Sequence, residues 1–150
     1  MFVYPQYEFK TRKNKETDAV EIWDIARRQW VTLTPEEFVR QHLIHYLIFN
    51  KQFPLETIIV EKEIVINKLK KRFDIAVINK KQEFILVAEC KAPTVNIDES
   101  VMQQVLIYNQ HLKAQCLVLT NGLSQFVYEK INDNWTMVQD IKEYGVGLNE

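Results

Sequence analysis

Two apolar runs joined by a short polar stretch constrain the fold of this chain most. The first run, Phe73 to Ile78, alternates and is rich in branched apolar residues. The second run, Phe84 to Ala88, is apolar throughout, as expected of a strand that is covered on both faces. The polar residues 79 to 82 between them are typical of a hairpin turn. The segment 72–93 therefore predicts a buried pair of antiparallel strands.

The same hairpin predicts a cluster of charged side chains. A turn centred on Lys81-Gln82 places Asp74 opposite Glu89, and directly opposed Cβ atoms lie roughly 5 Å apart. Glu89 and Lys91 point the same way, because side chains two residues apart on a strand share a face. Two carboxylates this close repel each other unless a cation lies between them, and Mg²⁺ prefers oxygen ligands. The hairpin therefore predicts a Mg²⁺ site, with Mn²⁺ as a substitute.

Asp74, followed after fourteen residues by Glu89-Cys90-Lys91, resembles the core of the PD-(D/E)XK nuclease superfamily. Further segments resemble the N-terminal nuclease domain of type I restriction endonuclease R subunits: PEE and VRQ within residues 35–41, ECKAP at 89–93, Gln104 with Tyr108, and LTNG at 119–122. The resemblance covers roughly residues 20–140. Phe73 stands where the superfamily has its namesake proline, and no helicase motor follows.

The resemblance implies an α/β fold with a restriction-endonuclease-like core. A mixed central β-sheet would be flanked by helices, in the order helix, three strands, helix and further strands. It implies that Asp74 and Glu89, with the backbone carbonyl of Cys90, hold the metal, and that Lys91 is catalytic. Gln104 and Tyr108 would lie beside the catalytic lysine or on the DNA backbone.

Local charge must attract nucleic acid, because the formal net charge is only −1. One basic run lies between Lys10 and Lys15, and a second spans residues 68–72 and leads into the Asp74 strand. The second run predicts substrate binding by Lys71 and Arg72. The alternative for both runs is a solvated face.

The 150 residues are predicted to form one domain, residues 19–150, preceded by a polar arm, residues 1–18, that is irregular or partly ordered. Runs at 20–23 and 29–33 predict a hairpin at the edge of the domain. A long strand is predicted from Thr57 to Ile66, with Glu61 and Glu63 on one face. Either these glutamates extend the acidic site or they form a solvated face, and the solvated face outside the site is preferred for a strand near the sheet edge.

Helix signals begin at Thr34, a candidate N-cap, and the helix should run to about Asn50. Glu37 has two interpretations: it approaches the active site as a further metal ligand, as the resemblance implies, or it completes a capping box with Thr34. His42 and His45 lie three residues apart, which suits a metal, but without a third ligand they are predicted to be helix-surface residues.

A second helix is predicted from Asp98, as N-cap, to Lys113. Gln104 falls at the edge of its apolar stripe and leans toward the sheet, or else is an exposed amide; Tyr108 belongs to the site or to the core. After a strand at 115–120, Asn121-Gly122 predicts a second hairpin, and a further strand follows at 135–138.

Two cysteines in apolar strands, Cys90 and Cys116, are predicted to be reduced core residues. The chain opens without a basic and apolar leader, and no run reaches the ~18 apolar residues of a membrane span. We therefore expect a cytoplasmic protein that does not bind membranes.

The expected function is Mg²⁺-dependent hydrolysis of DNA phosphodiester bonds, in which Lys91 stabilises developing charge or orients the attacking water. No base-reading motif is evident, so specificity would come from a partner. DNA is the expected partner, together with a second copy or a specificity or motor subunit. One alternative is a nuclease-fold module that binds nucleic acid or protein without cutting. Another is a piece of a larger R-type subunit, although the chain begins at Met1 and closes its own sheet.

Overall fold

A computed structural model describes residues 1–66 and 68–146, apart from the side chains of Ile66, Tyr108 and His111. In chain order the elements are β1 (Thr11–Lys13), β2 (Val20–Asp24), β3 (Gln29–Thr32), α1 (Pro35–His45), β4 (Ile58–Ile66), β5 (Leu69–Ile78), β6 (Phe84–Cys90), α2 (Glu99–Leu112), β7 (Cys116–Thr120), β8 (Gln125–Ile131) and β9 (Asn134–Val138). A π-helical turn, Tyr46–Asn50, follows α1 directly.

The central sheet has six strands in the order β4-β5-β6-β7-β8-β9. Strands β6 and β7 are parallel and are connected through α2, whereas all other neighbours in this sheet are antiparallel. One buried cluster joins α1 to the sheet, and a second joins α2 to it, so the helices cover opposite faces. The predicted mixed sheet between helices is thereby confirmed. Strands β1 to β3 form a separate antiparallel sheet that contains the predicted hairpin.

Both helices begin at the predicted caps. Thr34 Oγ1 accepts a hydrogen bond from the Glu37 N–H at 3.0 Å. Asp98 Oδ1 accepts from the backbone N–H groups of Ser100 and Val101. These bonds satisfy N–H groups that have no partner within the helix. The α2 helix ends at Leu112, and its C-cap Lys113 has a left-handed φ of +58°.

Aromatic residues of the N-terminal segment pack against α1 and change the environment of its histidines. The ring centroids of Phe2 and Phe9 each lie 4.8 Å from that of His42, and Phe9 lies 4.7 Å from His45. Both histidines are only 6% exposed, so the predicted helix-surface position is wrong. Each Nδ1 donates to the carbonyl four residues earlier, and burial lowers the pKa of both rings. The histidines are therefore packed core residues.

The segment 1–18 is irregular up to Lys10 and then pairs with β2 through β1. Tyr4 within it is buried. At the β7–β8 hairpin, Gly122 has a φ of +86°, and a Cβ there would lie 2.8 Å from the ring of Phe2. Glycine therefore satisfies both the turn and the close approach of the segment.

Both cysteines are free and buried in strands, as predicted. Of the helices within the described residues, none has the length and apolar character needed to cross a membrane.

Candidate active site

The two predicted acidic residues lie at the end of the β5–β6 ladder. Pairing runs from Val77 with Leu86 to Ile75 with Ala88, so Asp74 and Glu89 are the next residues on the two strands. This is the register that the turn predicts. Next to these backbone pairs, the side chain of Asp74 also bonds to β6: its Oδ2 accepts a hydrogen bond from the Cys90 N–H at 2.7 Å.

Side-chain alternation changes on β5 at Asp74. Ile75 packs in the buried cluster of α1, whereas Phe73, two residues earlier, packs in the cluster of α2. Regular strand geometry would put both on one face. The neighbouring strand β4 has its own irregularity at Glu61, whose φ is +57°. Local irregularities of this kind re-aim side chains, and here one occurs beside Asp74, which pairs with Arg40 of α1.

Arg40 of α1 lies among three acidic side chains, those of Asp74, Glu61 and Glu37. Its Nη2 lies 3.1 Å from Asp74 Oδ1, and its Nη1 lies 3.1 Å from Glu61 Oε1 and 3.3 Å from Glu37 Oε1. The Arg40 side chain is only 7% exposed. Because buried charges persist only when paired, this guanidinium neutralises carboxylates from three separate elements. Arg27, after β2, adds a second cation, at 2.8 Å from Glu37 and 3.2 Å from Glu61.

Glu37 therefore lies in an ion-pair network that reaches Asp74 through Arg40. Its second oxygen, Oε2, accepts from Gln41 Nε2 at 3.1 Å. The backbone N–H of Thr34 donates to the carbonyl of Thr32, so Glu37 does not complete the capping box. Of the two interpretations of Glu37, the capping box is therefore not the one formed, because two arginines bind the carboxylate.

Glu89 is buried with an incompletely satisfied carboxylate. Its Oε1 accepts no hydrogen bond from any described residue, although Lys71 Nζ lies 3.5 Å away. Burial, followed by the nearby charge of Asp74, raises the pKa of Glu89 to about 7. Lys71 and Lys91 oppose this rise. A bound cation would stabilise the charged form of such a buried carboxylate more than that of an exposed one.

The remaining predicted residues divide between a small pocket and the surface. Lys71, Glu89, Lys91 and Gln104 line a pocket of about 30 Å³, with Val101 and Val105 of α2. The Gln104 side chain is exposed at its rim. Arg72 is exposed on β5. The side chain of Tyr108 lies outside the described residues, so its predicted role stays a prediction.

The family model for the N terminus of the type I restriction enzyme R protein (HSDR_N) matches residues 35–143. The chain belongs to this family. Among solved structures, the fold is similar to a fragment of a putative HsdR subunit of a type I restriction enzyme from Vibrio vulnificus YJ016, with a TM-score of 0.55 and 15% identity over 74% of this chain. The match covers 24% of that chain, about a quarter of its length. No curated protein sequence matches.

The acidic pair of this HSDR_N domain suits a hard cation. Asp74 accepts one hydrogen bond on each oxygen, and a carboxylate oxygen retains a further lone pair. Glu89 Oε1 is buried without a hydrogen bond. Mg²⁺ is commonly held by one or two carboxylates together with water and phosphate. Within residues 1–66 and 68–146, no group of three or more His, Cys, Asp and Glu side chains is arranged to hold a metal.

Sequence reasoning missed the cationic side of this site. Arg27 and Arg40 have no predicted role, and for Glu61 the sequence favours a solvated face over an extension of the acidic site. That assignment is wrong for Glu61, which is ion-paired with both arginines. The solvated-face assignment is correct for Glu63, which is exposed. The register of the β4–β5 pair could have indicated the position of Glu61. This residue lies opposite Asp74, between the pairs of Val60 with Ile75 and Lys62 with Phe73.

Replacing Glu89 with glutamine is expected to stabilise the metal-free domain in a pH-dependent way. The folded carboxyl titrates near pH 7 instead of 4.5, so the unfolded chain loses this proton first and wild-type stability falls as pH rises through that window. Glutamine does not titrate. The stability difference should grow from near zero at pH 4.5 to about 1–3 kcal/mol above pH 7, measured by urea unfolding in EDTA. A difference that is independent of pH would contradict the burial of an ionisable Glu89.

Proposed function

We propose that this HSDR_N domain is a Mg²⁺-dependent nuclease of the PD-(D/E)XK type that hydrolyses DNA phosphodiester bonds. The observation that carries the proposal is the pairing of Asp74 with the buried Glu89, whose Oε1 accepts no hydrogen bond from the described residues, beside Lys91. Family membership supports the same conclusion, because the family is described as part of a restriction enzyme.

Asp74 and Glu89 would hold the metal, with the Cys90 carbonyl as the third predicted ligand and Glu37 as a possible fourth. When bound, Mg²⁺ would supply charge neutralisation at the phosphate and lower the pKa of a water toward neutrality. The Lys91 ammonium would oppose negative charge that develops on the phosphate, because it lines the same pocket as Glu89. Gln104, at the rim, would orient the phosphate or the water through its amide.

Arg40 and Cys90 would act by positioning. They hold the two oxygens of Asp74 at 3.1 and 2.7 Å, which fixes the carboxylate before substrate arrives. Fixed groups of this kind need little reorganisation during reaction, so they contribute to the rate without touching the substrate. Tyr108, Lys71 and Arg72 are proposed to contact the DNA backbone.

A second candidate is a binding module that does not cut. One observation favours it: Arg40 lies 3.1 Å from Asp74 and Lys71 lies 3.5 Å from Glu89, so both acidic residues already have a cation nearby. In that case the acidic pair would be a structural ion-pair network. This candidate predicts no metal-dependent chemistry at all.

Cleavage assays separate the two candidates. Purified protein is incubated with supercoiled plasmid, linear duplex or single-stranded DNA in Mg²⁺ or Mn²⁺, beside an EDTA control. The nuclease predicts metal-dependent cutting of at least one substrate. Absence of cutting on all three, by protein that binds DNA and is folded, would favour the binding module. A cytoplasmic location and association with a second copy, or with a specificity or motor subunit, belong to the same proposal.

A further inference from the structure

Part of the β4–β5 hairpin projects beyond the rest of the central sheet. Strand β5 pairs with β6 only over Ile75–Ile78, whereas its pairing with β4 continues to Ile66 with Leu69. Residues 62–66 and 69–73 therefore form a two-stranded ribbon that extends beyond the pairing of β5 with β6. We refer to residues 62–73 as the basic ribbon. Residue 67, near its end, lies outside the described residues.

The basic ribbon concentrates positive charge in a chain that is otherwise acidic. Five of its twelve residues are Lys or Arg and one is Glu, which gives a formal charge of +4, although the whole chain carries −1. The basic side chains are at positions 62, 68, 70, 71 and 72, and four of these residues are exposed. Such a local excess attracts phosphates in spite of the nearly neutral chain.

The ribbon starts at the acidic pair itself. Phe73, at its base, is fully buried in the α2 cluster, and Lys71, two residues away, places Nζ 3.5 Å from Glu89. The ribbon is thus anchored in the core beside the pocket that holds Lys91. A nucleic acid that lies along the ribbon would therefore pass the candidate active site.

The shape of the ribbon discriminates between nucleic acids. The major groove of B-form DNA, about 12 Å wide, admits a two-stranded β-ribbon, whereas the deep, narrow major groove of A-form RNA does not admit side chains. Proteins that bind single strands commonly stack bases on aromatic residues. The only aromatic residue in positions 62–73 is Phe73, which is 0% exposed. The ribbon therefore lacks a stacking platform and fits a duplex groove.

We propose that the basic ribbon enters the major groove of double-stranded DNA and presents that duplex to the site of Asp74 and Glu89. Only the second part of this inference, the presentation of the duplex to Asp74 and Glu89, rests on the proposed nuclease function. The exposed lysines contact phosphates on either side of the groove. Exposed Val65 and Leu69 lie near the end of the ribbon, where apolar contact with thymine methyl groups is available.

The test is equilibrium binding in EDTA, measured by fluorescence anisotropy with a labelled DNA duplex, its separate strands and an RNA duplex of the same sequence. The ribbon variant is Lys62→Ala, Lys68→Ala and Lys70→Ala in the full chain. The matched control is Lys80→Ala, Lys81→Ala and Lys130→Ala, three exposed lysines outside the ribbon. Both variants lose the same charge, so a difference between them reports position.

The wild type is expected to bind duplex DNA at least about tenfold more tightly than either single strand or the RNA duplex. The ribbon variant should lose about tenfold or more in duplex affinity at 0.1 M salt, and its slope of log K against log salt should fall by about 2–3. The duplex affinity of the control variant should fall by less than threefold under the same conditions. Equal losses in both variants, an unchanged ribbon variant, or equal wild-type affinity for all probes would overturn the proposal.

A parallel cleavage assay in Mg²⁺ keeps the two proposals separate. Duplex binding that depends on the ribbon without any cutting would leave the groove interaction standing and reject the nuclease. Cutting of duplex DNA by a ribbon variant with unchanged affinity would support the nuclease and reject the groove interaction. Thermal melting of both variants should match the wild type, because the substituted side chains are exposed.

Discussion

Replacing Arg40 with methionine is expected to destabilise the metal-free domain by about 3–5 kcal/mol, since removal of one partner leaves buried charge uncompensated. Methionine keeps most of the apolar volume, so the loss reports charge and not a cavity. Arg27 still pairs with Glu37 and Glu61, and the main uncompensated group is Asp74. The measurement is urea unfolding at neutral pH in EDTA.

Arg12→Met is the matched control for Arg40. Arg12 pairs with Glu21 at 2.8 Å, but its side chain is 48% exposed, and exposed pairs contribute about 0–1 kcal/mol. A second variant identifies the cause of the loss. Adding Asp74→Asn to Arg40→Met should recover part of the lost stability, because the uncompensated carboxylate is then removed. A cost for Arg40→Met no larger than that of the control would contradict the proposed network.

Replacing Lys91 with alanine is expected to lower the rate of DNA cleavage by about 100-fold or more, the usual cost of removing a group that stabilises transition-state charge. Folding should be little affected, because Lys91 is only partly buried and lines an open polar pocket. Metal binding should also persist, because Lys91 is not one of the proposed ligands. The measurement is single-turnover cleavage in Mg²⁺, with urea unfolding of the same preparations.

Lys130→Ala serves as the control for Lys91, because this lysine is exposed on β8. It should cut at the wild-type rate. Loss of cleavage in Lys91→Ala with normal folding separates a chemical role from a structural one. A Lys91→Ala protein that cuts like the wild type would remove Lys91 from the mechanism.

The central hairpin and its acidic pair were predictable, because both depend on short-range signals. A polar turn fixes the register of the strands on either side of it, and register fixes which residues oppose each other. Asp74 and Glu89 therefore followed from residues within about one hairpin. The caps at Thr34 and Asp98 were equally local.

The cationic partners were not predictable in the same way. Arg40 reaches Asp74 across 34 positions, and Glu61 across 21, through packing of α1 against the sheet. Nothing in strand periodicity signals that contact. The irregularity at Glu61 also broke the alternation on which its solvated assignment depended.

The buried histidines illustrate a related limit. His42 and His45 are predicted to lie on the helix surface because no third metal ligand is evident in the sequence. The covering residues come from a segment whose polar composition predicted an irregular arm, yet its Phe2 and Phe9 pack against these rings. Burial there depends on a distant segment, which a helical period does not report.

The most direct test of the central claim is calorimetric titration of the domain with Mn²⁺, without DNA, at pH 8, beside Asp74→Asn and Glu89→Gln. This measurement does not depend on the choice of substrate. The account predicts one binding site in the wild type that either substitution weakens at least about tenfold. It also predicts weaker binding at pH 6, because the pKa of Glu89 near 7 makes a proton compete with the metal. Absence of binding, or equal binding by all three proteins, would contradict a metal site at these residues.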